Sequence, residues 1–227
     1  MPAAGAQRPV PPDGIRPGQL GVVMLRRVII GDVAATLVDL SGRKLLRVEE
    51  PEPGTWSLSP AHATAPRHRR ESLLPYERTL LDGISHDGAA ATLPSLAADM
   101  PGVLDDTRAA LMHDAVHHGW LHHLHHDQRT DAGDQLADRL RAFQQALHRL
   151  ATEQGRDALT GPLLPYALHF GMIRADEHPL SRFAHDWVQA FSALPGWHLP
   201  EPKHYDPKDD PVPMGESHTT AGYWIPW

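Results

Sequence analysis

Seven of the 17 histidines crowd into residues 113–126: His113, His117, His118, His122, His123, His125 and His126. Neutral imidazoles are ligands for divalent transition metals. On a helix, residues four apart share a face. His118, His122 and His126 therefore form a candidate chelate for zinc, nickel or copper, with His113 and His117 as a second pair. The plainer reading is a solvated helix end and linker with incidental metal affinity. Gly119 inside the run, and the lack of a carboxylate at ligand spacing, favour it. Clustered imidazoles also gain charge together at about pH 6 and repel one another, which is the basis of pH sensing.

Phosphate recognition is the second candidate chemistry. Arg43, Lys44 and Arg47, joined by Arg67, Arg69 and Arg70, could meet a nucleic-acid backbone. Asp39, Glu49, Glu50 and Glu52 interrupt that cluster, and the formal net charge of −7 opposes a general nucleic-acid binder. A protein or peptide partner fits better, held along a strand edge. Arg43, Arg47 and Trp56 are candidate contacts, with Tyr223, Trp224 and Trp227 of the C-terminal stretch. That stretch is proline-rich yet aromatic, as expected of a segment lying against a surface.

Enzyme signatures are missing. There is no Gly-x-Ser-x-Gly elbow, phosphate-binding glycine loop, His-Glu-x-x-His or dinucleotide fingerprint. With no cysteine, thiolate zinc sites and thiol nucleophiles are excluded, and the composition suits the cytosol. We nominate no catalytic residue, although a pocket assembled from distant residues leaves no local trace. No stretch approaches the roughly 18 apolar residues of a membrane span, and residues 1–12 do not resemble a secretory signal.

The elements that must position these residues read as mainly α with small β wings. Residues 1–18 form a Pro/Gly/Ala-rich lead-in. Within 19–59, Asp32 is placed to cap a helix through Leu40 that ends at Gly42. Strands at 45–50 and 55–58 follow, around the turn Pro51-Glu52-Pro53-Gly54. Helix, strand, turn, strand is the back half of a winged helix. A basic linker, 60–72, leads to a second winged-helix-like module, 73–127. Its helices are expected at 76–84, 93–100 and 104–121, without a convincing wing. A three-helix module, 135–195, opens with the stripe Leu136, Leu140, Phe143, Leu147 and Leu150, core packing at helical spacing. Its other helices are expected at 163–172 and 179–194, and residues 196–227 are the tail.

Two motifs open helices about ninety residues apart: Leu74-Pro75-Tyr76-Glu77 with Leu80-Leu81, and Leu164-Pro165-Tyr166-Ala167 with Gly171. Other segments join them in order: Arg16-Pro17-Gly18-Gln19-Leu20-Gly21, Asp32 to Leu40, Arg43 to Glu50, Gly119-Trp120 and Arg141-Ala142-Phe143. Together, over about residues 16–197, they resemble the cytosolic region of the bacterial membrane protein family called domain of unknown function 2207. The resemblance implies tandem winged-helix-like modules plus a helical module, and supplies no activity. This chain lacks the family's membrane helices, and Lys44 stands where the family usually has a glycine. The expected function is that of a cytoplasmic, non-catalytic accessory or adaptor protein, a candidate subunit of an enzyme complex. Metal binding at the histidine cluster and winged-helix DNA binding are the alternatives.

Overall fold

The structure, a computed structural model, describes residues 8–61, 73–84, 90–123, 128–194 and 197. The helices are α1 (Leu20–Leu25), α2 (Ile30–Gly42), α3 (Pro75–Ile84), α4 (Leu93–Asp99), α5 (Pro101–His117), α6 (Asp131–Gln154), α7 (Leu164–His169) and α8 (Pro179–Phe191). The strands are β1 (Leu46–Glu52), β2 (Thr55–Pro60) and β3 (Ala91–Thr92). Short 3-10 turns at Pro12–Gly14, Pro17–Gln19, Arg156–Leu159 and Gly161–Leu163 join them. The protein is therefore mostly helical with one small antiparallel sheet.

Helix α2 organises the core. Every residue from Ile30 to Val38 is buried, as is Leu40. A helix apolar on all sides has to lie inside the protein, and α7, α8, β1 and the Pro17–Gln19 turn surround this one. One hydrophobic cluster consequently runs from Ile15 to Trp197 through every helix. All five residues of the α6 stripe are buried, as their spacing predicts. Trp197, read from sequence as part of the tail, belongs to this core. Its indole N–H donates to Asp105 at 3.4 Å, and the Arg108 guanidinium lies 4.1 Å from its ring centre.

The strands pair in the order β1-β2-β3, all antiparallel. A turn forms where expected but is tighter, at Pro53-Gly54 with Gly54 at φ +77°, because β1 continues through Pro51 to Glu52, with a register shift between Glu49 and Glu52. Ala91–Thr92, from the segment at 73–127, pairs with the edge of β2.

Two helix ends differ from expectation. Helix α2 begins at Ile30, so Asp32 sits in its first turn and Ile29 is the capping position. Helix α5 stops at His117 instead of reaching residue 121, because Gly119 turns left-handed at φ +70°. The Gly119 and Trp120 amides then donate back to the Val116 and Ala115 carbonyls, a Schellman end.

The same end closes α2, where the Lys44 and Leu45 amides donate to Ser41 and Leu40. Here the left-handed position, φ +61°, is held by Lys44, a side chain that crowds the backbone. Lys44→Gly is expected to raise stability by about 1 kcal/mol, read as a higher urea midpoint with an unchanged slope.

Candidate functional site

The charged and polar groups that matter most are inside the protein. Asp32 is fully buried on α2. Its carboxylate accepts from the Gly21 amide at 2.9 Å and from the Ile29 amide at 2.8 Å. Gly21 is there because nothing larger fits, since a Cβ would stand 2.1 Å from Asp32 Oδ2. His169, the last residue of α7, brings Nδ1 to 3.2 Å from Asp32 Oδ1 and is itself buried. Burial pushes the Asp32 carboxyl up to about 8, against the pull of its two backbone hydrogen bonds. Burial also pushes His169 down to about 3. Both shifts favour the neutral forms, so near neutrality Asp32 keeps its proton and His169 stays uncharged.

This pair sets a pH profile for stability. Ordinary values are 3.8 for the carboxyl and 6.5 for the imidazole. Between those values the folded chain holds a proton on Asp32 and the unfolded chain holds one on His169, so stability is flat. From pH 6.5 to about 8 the folded chain retains a proton that the unfolded chain has released. Stability then falls as pH rises, by about 2 kcal/mol in all. Below 3.8 the unfolded chain binds a proton at each site while folded His169 resists its own until about 3, so stability falls again. Urea unfolding from pH 5 to 8 should show the alkaline decline in the wild type and its loss in Asp32→Asn.

A second polar group lies where the two Leu-Pro-Tyr motifs converge. Glu77, fully buried on α3, accepts from Arg43 Nη1 at 2.6 Å and from the Leu74 amide at 2.9 Å. The same Arg43 nitrogen reaches Asp39 at 3.0 Å. Tyr76 and Tyr166 flank these charges. Burial pushes both phenols up, and the Asp39 and Glu77 carboxylates add to it, while Arg16 pulls both down. The Tyr166 hydroxyl donates to the Ile15 carbonyl at 2.6 Å, whereas the Tyr76 hydroxyl has no hydrogen-bond partner among the described residues. Gln19 completes the group. It accepts from the Arg16 amide at 2.7 Å and donates to the Asp114 carboxylate at 2.5 Å. These contacts join α2 to α3, and the segment Ile15–Gln19 to α5 and α7, and the charges of Arg43 and Glu77 are spent on internal partners.

The residues nominated from sequence are scattered. His118 lies beyond the end of α5, stacked on Trp120 at 4.6 Å, with Nε2 3.6 Å from Asp114. Because Gly119 breaks the helix, His118 and His122 share no helical face, which corrects the spacing argument; His126 lies outside the described residues. No group of three His, Cys, Asp or Glu among the described residues is arranged to hold a metal ion. Arg43, expected at an interface, is instead tied to Glu77 and Asp39 inside the fold. Trp56 is 2% exposed, its ring edge-on to Phe183 and its N–H on Asp186 at 2.7 Å, so it is core and not a contact surface. Arg47 is exposed as expected. Arg67, Arg69, Arg70, Tyr223, Trp224 and Trp227 lie outside the described residues.

What Arg47 borders is the open edge of the sheet. The Ala61 amide donates to the Leu45 carbonyl at 3.0 Å, which makes Leu45 and Ala61 a hydrogen-bonded pair. By the antiparallel alternation, Arg47–Ser59 and Glu49–Ser57 are hydrogen-bonded pairs too. Leu46 and Val48 then turn their N–H and C=O outward, and the alternation holds as far as Glu49, beyond which the register shifts before Glu52. Pro60, opposite Leu46, has no N–H to contribute, as this phase requires. No described residue hydrogen-bonds to these outward groups.

Among the described residues, no helix is long and apolar enough to cross a membrane. No protein-family model, curated protein or solved structure matches the chain.

Sequence reasoning passed over Asp32, Glu77, His169, Gln19 and Asp114 as a buried set. One signal was present. Asp32 and His169 are ionisable residues embedded in apolar runs, Val28-Ile29-Ile30-Gly31-Asp32-Val33 and Tyr166-Ala167-Leu168-His169-Phe170. A charge kept in such a run has to find a partner inside.

Proposed function

We propose that this protein is a non-catalytic binding module, an accessory or adaptor, that takes an extended strand of a partner protein on the free edge of β1. The observation that carries the reading is the row of outward backbone groups at Leu46 and Val48, which are unpaired among the described residues. Such an edge is a template for strand addition, in which main-chain hydrogen bonds supply affinity. The buried polar groups support the same reading, since they are consumed in holding helices together.

Helix α2 followed by the β1–β2 hairpin and a third strand is compatible with a winged-helix-like module whose wing is that hairpin. The resemblance to the family's cytosolic region supports the same reading, and a cytoplasmic location is part of the proposal. DNA binding has less to draw on, because Arg43 is occupied inside the fold.

Val48→Pro gives the test. Proline there removes an outward N–H and leaves the ladder to β2 untouched. Peptides selected on the wild-type protein from a displayed random library should lose at least tenfold in affinity for Val48→Pro, a variant that remains cooperatively folded with a lowered thermal midpoint, since half-buried Val48 loses core contacts. A library that yields no peptide sensitive to this substitution would sink the reading.

A further inference from the structure

The side chains along β1 say which strand fits its edge. Arg47 and Glu49 lie on one face, both about three-fifths exposed, on either side of outward-turned Val48. Within one chain they meet only at 3.8 Å. We propose that the partner strand is β1 of a second copy, antiparallel and related by a two-fold axis through Val48, giving one continuous six-stranded sheet. This rests on the reading that the edge of β1 accepts a strand.

In this register Val48 faces Val48 of the second copy and the two exchange both backbone hydrogen bonds. Leu46 lies opposite Glu50 of the second copy on either side, where the irregular end of β1 begins. Between them Arg47 stands directly opposite Glu49 of the second copy, and symmetry repeats the pair on the other side of the axis. That position is a non-hydrogen-bonded pair, where side chains come closest and opposite charges attract.

The register is also selected against its neighbours. The outward groups must pair with outward groups, so the strands can slip only to the next such alignment. One slip sets Arg47 against Arg47, and the other sets Glu49 against Glu49. Each places like charges opposite one another. Only the two-fold at Val48 pairs them by opposite sign, and Val48, half-buried against the core, supplies an apolar contact at the axis.

A seven-residue edge is short, so association belongs to the weak class. Sedimentation equilibrium and native mass spectrometry on the full chain, at about 0.1–0.5 mM for the former, are suited to it. The wild type should form dimers, and Val48→Pro should be monomeric while remaining cooperatively folded. Arg47→Glu and Glu49→Arg should each weaken the dimer at least tenfold, because each sets like charges opposite one another twice. The double variant Arg47→Glu/Glu49→Arg should return to within about threefold of wild type. Mixing the two single variants should give a heterodimer in excess of either homodimer, since every cross-strand pair is then of opposite sign. A wild type that stays monomeric, a dimer that survives Val48→Pro, or a double variant no better than its singles overturns the proposal. A monomer that still captures peptides through Val48 overturns self-pairing alone and leaves the strand-addition reading standing. A dimer that survives Val48→Pro together with peptides insensitive to it overturns both.

Discussion

Gly21→Ala should cost about 3 kcal/mol or more, and the variant should express poorly or unfold at a much lower urea concentration. The added methyl would stand 2.1 Å from Asp32 Oδ2 and 2.7 Å from its Cγ, far inside contact distance. A flexible side chain could swing away, but Asp32 is held on three sides, by the Gly21 amide, the Ile29 amide and His169. Moving it would break both backbone hydrogen bonds in a site without solvent, so the donors would be left buried and unpaired. Moving α1 instead would uncover Leu20, Val22 and Val23, all buried. Gly102→Ala is the control. No heavy atom lies within 4 Å of a Cβ there, and its position in the first turn of α5 makes alanine neutral or slightly favourable. Equal stability of Gly21→Ala and wild type would mean that Asp32 is not locked between the two segments.

Arg43→Met should be the most destabilising single change among the surface-reaching residues, by about 3–5 kcal/mol. Its side chain is only 18% exposed, and it supplies the cation for Glu77, which is fully buried. Removing the cation leaves a carboxylate in the interior with only the Leu74 amide to stabilise it. The loss should be largely undone by a second change. In Arg43→Met/Glu77→Gln the fully buried charge is gone and the glutamine oxygen still accepts from Leu74, while Asp39, 15% exposed, is the one carboxylate left without its cation. Stability of the double variant should return to within about 1–2 kcal/mol of wild type, a large coupling energy in a double-mutant cycle. Additive losses would show instead that Arg43 acts by packing alone.

Some of this architecture is legible along the chain. The α6 stripe repeats at helical spacing and its five members are all buried. The Pro-Glu-Pro-Gly turn places the hairpin, and Gly42 marks the end of α2. What escapes is set by contacts between distant segments. Asp32 has a sufficient local explanation as a helix cap, and Glu77 one as a first-turn acid, so neither announces that it is buried. Their depth is decided by Gly21 and His169 in one case and by Arg43 in the other. Trp56 reads as a surface aromatic on a wing until α8 supplies Phe183 and Asp186. The histidine run misleads for a local reason, since a single glycine ends the helix on which its spacing depended.

The pairing of α2 with α7 and α8 also bears on how the chain is made. His169 and the apolar residues of α8 stand about 130–160 positions after the helix that they cover. At a synthesis rate of about 5–20 residues per second, the ribosome needs on the order of ten seconds to deliver them. Through that interval α2, with its Val, Ile, Leu and Ala side chains, has emerged without its cover. The nascent chain is accordingly a client for chaperones that shield hydrophobic segments. Premature termination near residue 155 would release a fragment containing the whole helix and neither of the two that bury it, a species expected to aggregate instead of refolding.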